Sequence, residues 1–79
     1  MRQSFFHFLM TERDPHKNDE VTKFANDVYL DVSFPKQSEN YQEISDYLEF
    51  YGDYLSSMSV FDNAWERYLE RNQTLSSSN

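Results

Sequence analysis

The apolar residues of this chain recur every three or four positions, which is the spacing of one face of an α-helix. The pattern predicts helices over approximately residues 3–12, 19–32, 41–51 and 58–71. It is clearest in the second segment, where the apolar positions are Val21, Phe24, Ala25, Val28, Tyr29 and Val32. No segment alternates apolar and polar residues with the period of a β-strand. The sequence therefore predicts an all-α, four-helix fold.

Capping residues indicate where these helices begin and end. Asn18 is the expected N-cap of the second helix, because its side chain accepts hydrogen bonds from free amides of the first turn. Asn40 and Glu43 have the spacing of a capping box at the start of the third helix. Gly52 is the only glycine of the chain and follows the third helix, where we expect a residue with positive φ.

The expected core is aromatic, since the chain contains 7 Phe, 6 Tyr and 1 Trp. The first helix is apolar around more than half of its circumference, so we expect it to be buried on most sides. The residues expected to face inward are Phe5, Phe24, Tyr29, Ile44, Leu48, Phe61, Trp65, Tyr68 and Leu69. Trp65 is interpreted as a core anchor and not as a binding residue.

The length of 79 residues leaves room for one domain. We assign residues 1–71 to this domain and interpret the Ser-rich residues 72–79 as a disordered polar tail. No segment reaches the roughly 18 apolar residues that a membrane-spanning helix needs, and the N-terminal segment lacks the pattern of a signal peptide. We therefore expect a cytoplasmic protein that does not bind membranes.

The composition argues against catalysis. The chain has no cysteine, which excludes disulfides and thiolate metal sites, and its single glycine excludes phosphate-binding glycine loops. The two histidines, His7 and His16, have no neighbouring residue pattern that marks a catalytic pair. Carboxylates one helical turn apart, such as Asp27 and Asp31, are interpreted as a solvated surface and not as a metal site. We expect no enzyme activity, no cofactor, no metal and no small-molecule substrate.

Several segments resemble a known family. The resemblance is carried by residues 41–49 (YQEISDYLE), 52–58 (GDYLSSM) and 67–70 (RYLE), together with Phe61-Asp62 and Ala64-Trp65. Towards the N-terminus it extends through Ser4-Phe5, Leu9-Met10, Phe24-Ala25 and Phe34-Pro35. These residues resemble the YozE-like family of small proteins from low-GC Gram-positive bacteria. The resemblance implies a compact, single-domain SAM-like fold of four helices, and it brings no known activity and no site residues.

The leading functional hypothesis is a non-enzymatic module that binds a protein, with self-association as one form of this. Leu30 and Phe50 lie on the sides of their helices opposite the apolar stripes, and Tyr54 falls in the connection near Phe50. If these residues converge, they form an apolar patch of the kind found at protein interfaces. The partner itself is not identified by the sequence.

The alternative hypothesis is binding of nucleic acid. The third and fourth helices with the turn between them resemble a helix-turn-helix arrangement, and the start of the fourth helix would contact bases. The contact residues in this hypothesis are Ser57, Ser59, Asn63 and Arg67. The net charge of −7 disfavours it, since phosphate binding needs clustered lysine and arginine.

Overall fold

The computed structural model describes residues 3–14, 16 and 18–77, with side chains described as far as Arg71. Its helices are α1 (Phe5–Thr11), α2 (Glu20–Leu30), α3 (Tyr41–Tyr51) and α4 (Met58–Ser77). Turns and irregular segments connect them, and the described part of the chain contains no β-strand. The prediction of an all-α, four-helix fold is confirmed. None of the helices within these ranges is both long and apolar enough to cross a membrane.

Some predicted helix ends are wrong by a few residues. The second helix ends at Leu30, because Asp31 leaves the helical conformation with φ −90° and ψ 97° and its carboxylate accepts a hydrogen bond from the Ser33 amide. The fourth helix continues past Arg71 to Ser77. The disorder of residues 72–79 stays a prediction, and residues 78 and 79 lie outside the described residues.

The predicted N-cap of α3 is confirmed, and the predicted N-cap of α2 is wrong by one residue. Asn40 caps α3 as predicted, since its Oδ1 accepts a hydrogen bond from the Glu43 amide at 2.8 Å. The Glu43 carboxylate is bonded to Ser38 Oγ at 2.6 Å and does not complete a capping box with Asn40. At α2 the cap is Asp19 and not the predicted Asn18, because it is the Asp19 carboxylate that accepts from an amide of the first turn.

Gly52 follows α3, but the predicted reason for a glycine there is wrong. Its φ is −93° and its ψ is 49°, so the backbone does not use the positive-φ region. The glycine amide donates to the Leu48 carbonyl at 2.9 Å, and a Cβ atom on Gly52 would lie 2.6 Å from that same oxygen. Glycine is therefore favoured at this position by the close approach of the chain to the last turn of α3.

The core is built around Phe5 at the start of α1. Its ring is fully buried and lies 5.1–6.4 Å, centroid to centroid, from the rings of Phe8, Phe24, Phe61, Trp65 and Tyr68. Helices α1, α2 and α4 pack against one another in pairs, and α3 adds Ile44 and Leu48 to the buried cluster. The expectation that α1 is largely buried is confirmed, with only His7 and Thr11 exposed along it.

Three of the residues expected in the core are less buried than predicted. Tyr29 is 52% exposed, and the Arg13 guanidinium lies over its ring at 3.7 Å from the centroid. Leu69 is exposed at the outer edge of α4. Trp65 is half-buried and packs against the core, with its ring 4.9 Å from Tyr68. Periodicity gave the direction of these faces correctly but overestimated their width.

Candidate functional site

Three exposed apolar side chains lie at the ends of α2 and α3. Leu30 is 74% exposed, Phe50 77% and Tyr51 67%. The rings of Phe50 and Tyr51 are 6.3 Å apart, and Leu30 lines the same surface depression as Tyr51. We call the surface formed by Leu30, Phe50, Tyr51 and Tyr54 the aromatic surface.

Tyr54 differs from the other members of the aromatic surface because it is partly covered. It lies in the connection between α3 and α4, and its ring packs against Phe24 of the core at 6.5 Å. Its hydroxyl donates a hydrogen bond to Asp31 Oδ2 at 2.9 Å. Tyr54 therefore supports the surface from below, while Leu30 and Phe50 stand in solvent.

Asp31 joins three segments of the chain. Its Oδ2 accepts hydrogen bonds from the hydroxyls of Tyr47 at 2.7 Å and Tyr54 at 2.9 Å, and its Oδ1 accepts from the Ser33 amide at 3.1 Å. These bonds tie the end of α2 to α3 and to the α3–α4 connection. Asp31 stands at the C-terminal end of a helix, where a negative charge is unfavourable, so these donors compensate for its position.

The Asp31 network changes the proton affinity of its members. Partial burial acts to raise the pKa of Asp31, but the hydrogen bonds from Tyr47, Tyr54 and Ser33 outweigh it, and the pKa lies below its ordinary value. Burial and the bond to Asp31 raise the pKa of Tyr47 to about 12. The same causes raise the pKa of Tyr54 still further. At neutral pH the carboxylate is therefore charged and both phenols are protonated.

A groove lies between the end of α2 and the end of α3. It has a volume of about 350 Å³ and is lined by Asp27, Leu30, Asp31, Tyr51 and Tyr54, and we call it the Asp31 groove. A neighbouring depression continues past Tyr51 to Tyr47 and Ser33. The lining combines apolar rings, an aliphatic side chain and two carboxylates. Such a surface can bind an apolar side chain and a cation side by side.

The described residues offer little for catalysis. Nowhere among them do three side chains of the His, Asp, Glu or Cys types converge in a way that could hold a metal ion. Asp27 and Asp31 line the same groove, but the interpretation of Asp31 as part of a solvated face is wrong, since it accepts three hydrogen bonds. Both described histidines are exposed.

The residues of the nucleic-acid hypothesis do not form a free basic surface. Arg67 Nη1 lies 3.6 Å from Glu12 Oε1 and 3.4 Å from Asp19 Oδ2, so its charge is balanced by two carboxylates. Ser57 and Ser59 are bonded to each other at 2.6 Å at the start of α4. Asn63 lies on α4 between Ser59 and Arg67, and its side chain is exposed. Arg67, the one cation among these four residues, is therefore paired with carboxylates of the same chain.

Sequence reasoning named Leu30, Phe50 and Tyr54 but missed Tyr51 and Asp31. The spacing of Tyr51 from Ile44 and Leu48 places it on the apolar stripe of α3, but it occupies the last position of that helix and is 67% exposed. The signal for Asp31 was an acidic residue at a helix C-terminus, which conflicts with the helix dipole and indicates outside donors. The structure supplies Tyr47 and Tyr54 as those donors.

Comparison with known proteins gives a consistent result. Residues 4–70 match the model of a family described as YozE SAM-like fold. A UPF0346 protein of Pediococcus pentosaceus is 56% identical over 73 residues, covering 92% of this chain and 99% of the relative. A UPF0346 protein of Listeria innocua is 58% identical over 69 residues, covering 87% of this chain and 90% of the relative. The names of these relatives state no activity.

The chain is also similar to a solved structure in both fold and sequence. The solution NMR structure of the UPF0346 protein yozE from Bacillus subtilis has a TM-score of 0.75 and 50% sequence identity. The similarity covers 84% of this chain and 80% of that one. Identity at this level makes a shared fold the expected outcome, and the TM-score agrees with it.

Proposed function

The chain belongs to the YozE SAM-like family, and we propose that it is a non-enzymatic module that binds another protein through the aromatic surface. The observation that carries this proposal is the position of Tyr51, which lines one groove with Leu30 and whose ring lies 6.3 Å from that of Phe50. The three side chains are between 67% and 77% exposed. Large aromatic side chains are enriched at protein interfaces, where they contribute much contact area with few rotatable bonds.

A rigid base supports the proposal. Tyr47 and Tyr54 bond to Asp31 beneath the surface, and the ring of Tyr47 lies 5.2 Å from that of Tyr51. Side chains that are already ordered lose less conformational entropy when a partner binds. The aromatic surface therefore has exposed apolar side chains that pack beside tyrosines already held in place by hydrogen bonds. This combination favours a role in binding over a purely structural one.

Site-specific photo-crosslinking tests the proposed function. Phe50 is replaced by p-benzoylphenylalanine in the full chain, and cells of the source organism that produce it are irradiated. We expect a covalent adduct with a discrete protein. Below saturation, where the adduct yield follows affinity, we expect Leu30→Asp in the same chain to lower the yield by about tenfold or more.

A matched position on α4 provides the control. Glu66 is exposed, and we expect p-benzoylphenylalanine there to give no adduct with the same protein. The mass of the Phe50 adduct distinguishes a second copy of this chain from a different protein. Equal adducts from both positions, or an adduct that is unaffected by Leu30→Asp, would contradict the assignment of binding to the aromatic surface.

A further inference from the structure

We infer that the segment bound by the aromatic surface is basic, with an arginine or lysine that enters the Asp31 groove and an adjacent apolar residue that packs on Leu30 and Phe50. This inference rests on the proposed function and adds the chemistry of the partner. It follows from the two carboxylates that line the groove, from the tyrosine rings beside them and from the charge repulsion that a second copy of this chain would meet there.

The Asp31 groove is lined by two carboxylates and by no basic side chain among the described residues. Asp31 accepts three hydrogen bonds, whereas an ionised carboxylate has about four acceptor positions. The side-chain carboxylate of Asp27 accepts no hydrogen bond from the described residues. Oxygen atoms of both carboxylates therefore remain free to accept hydrogen bonds from a ligand, and apolar side chains lie beside them in the groove.

Two lysines, Lys36 and Lys23, occupy neighbouring parts of the structure, and neither of them lines the Asp31 groove. Lys36 donates to the Val32 carbonyl at 2.9 Å and lies 5.5 Å from the centroid of the Phe6 ring. Lys23 lines a neighbouring depression together with Glu20 and Asp27. The charge of Lys36 contributes to the lowered pKa of Asp31, but neither lysine lines the Asp31 groove, so no cation of the described residues occupies the groove itself.

The tyrosines suit a cation with an apolar stem. Tyr51 and Tyr54 form walls of the groove, and a guanidinium or ammonium group is attracted to the face of such rings. The methylene stem of arginine or lysine packs on apolar surface while its charged end reaches a carboxylate. Helix α2 already carries one contact between a cation and a tyrosine ring, since the Arg13 guanidinium lies over the Tyr29 ring at 3.7 Å from its centroid.

A second copy of the chain fits the groove poorly. In a two-fold dimer formed through this surface both copies contribute Asp27 and Asp31 to one interface, and neither copy brings a lysine or arginine from the groove lining to pair with them. Each copy also carries a net charge of −7. Like charges brought together at an interface are unfavourable, whereas a basic segment gains from both the carboxylates and the overall field.

Selection from a random dodecapeptide phage library on the immobilised full chain tests the inference. We expect the selected peptides to carry a net positive charge, with arginine or lysine close to an aromatic or aliphatic residue. The peptides are then synthesised with each arginine replaced by citrulline, which keeps the shape and removes the charge, and with each lysine replaced by norleucine. We expect these neutral analogues to bind about tenfold more weakly by fluorescence anisotropy, equivalent to about 1.4 kcal/mol.

Matched variants locate the binding. Asp27→Asn should weaken the basic peptides by a similar factor, and Leu30→Ser, which removes the apolar side chain without adding charge, should abolish their binding at the surface. Glu66→Gln on α4 should leave affinity within about twofold, since a distant charge is screened. Circular dichroism verifies that each variant is folded.

The outcomes separate the two proposals. Peptides that require Leu30 but are neutral or acidic, or that bind equally well as neutral analogues, would overturn the basic-partner inference and leave the aromatic surface as a binding site. If no selected peptide requires Leu30, the aromatic surface is not a peptide-binding site, and both proposals fail.

Discussion

Tyr54 and Asp31 are joined by a hydrogen bond of 2.9 Å across 23 positions of sequence. A bond to a charged acceptor contributes more than one between neutral groups, and here it links the α3–α4 connection to the end of α2. Because Asp31 also binds Tyr47 and the Ser33 amide, loss of one donor leaves the carboxylate partly satisfied.

Replacement of Tyr54 by phenylalanine should destabilise the domain without changing its core. We expect Tyr54→Phe to lower the free energy of unfolding by about 1–2 kcal/mol, measured by urea denaturation. The matched control is Tyr51→Phe, because no described residue bonds to its hydroxyl, and it should change stability by less than about 0.5 kcal/mol. Equal stability of the two variants would show that the bond to Asp31 contributes nothing.

Alkaline pH should destabilise the domain through the same tyrosines. The pKa of Tyr47 is raised to about 12 and that of Tyr54 is raised more, whereas an unfolded tyrosine titrates near 10. Because the folded state binds these protons more tightly, the stabilisation is complete below about pH 10 and is lost as the pH rises through about 12. Thermal unfolding between these values should show a steeper decline for the natural chain than for the Tyr47→Phe, Tyr54→Phe double variant, and parallel declines would contradict the assignment.

Gly52→Ala should destabilise the protein although φ is negative there. An alanine Cβ would lie 2.6 Å from the Leu48 carbonyl oxygen, so the end of α3 has to shift. We expect a loss of about 1–3 kcal/mol in the free energy of unfolding. Urea denaturation measures the difference. Unchanged stability of Gly52→Ala would show that position 52 does not approach the Leu48 carbonyl this closely in solution.

Trp65 and Phe50 provide a comparison of a core ring with a surface ring. Trp65 packs against Phe5 at 5.1 Å and Tyr68 at 4.9 Å, whereas Phe50 is 77% exposed. Trp65→Ala should cost about 3 kcal/mol of stability, at the lower end for large aromatic residues because the ring is only half-buried. Phe50→Ala should leave the melting temperature within a few degrees, as expected for surface substitutions of about 0.5 kcal/mol. A larger loss for Phe50→Ala would indicate that its ring is packed in solution.

Duplex DNA should not bind this chain measurably at ordinary salt. Arg67 is paired with Glu12 and Asp19, and Arg71 lies 3.4 Å from Glu12. No clustered cations are therefore left on this face to displace counterions from phosphates. Fluorescence anisotropy of a labelled duplex should stay flat up to about 100 μM protein, although non-specific binders reach about 1 μM. Salt-dependent binding that is lost in Arg67→Ala would restore the helix-turn-helix hypothesis.

Much of the fold could be predicted from the sequence because helical periodicity and capping are local properties. The limits of α3, its Asn40 cap and the exposure of Phe50 follow from residues within a few positions of one another. The burial of Phe5 was also predictable, since its helix is apolar around most of its circumference.

The Asp31 network could not be derived in the same way. Its two tyrosine donors are 16 and 23 positions away in sequence, so no local pattern connects them to the carboxylate. The exposure of Tyr29 has a related cause, because periodicity gives the direction of a helical face but not the reach of the helices that cover it. The Asp31 groove depends on both effects, which is why only part of its lining was identified beforehand.

The central position of Phe5 has a consequence for synthesis of the protein on the ribosome. Three of its ring partners, Phe61, Trp65 and Tyr68, are separated from it by most of the domain. The ring of Phe5 cannot be enclosed until Tyr68 has been translated and released from the exit tunnel. Until then, a nascent helix with exposed phenylalanines requires protection, so we expect holding chaperones to contact this segment more than any later one.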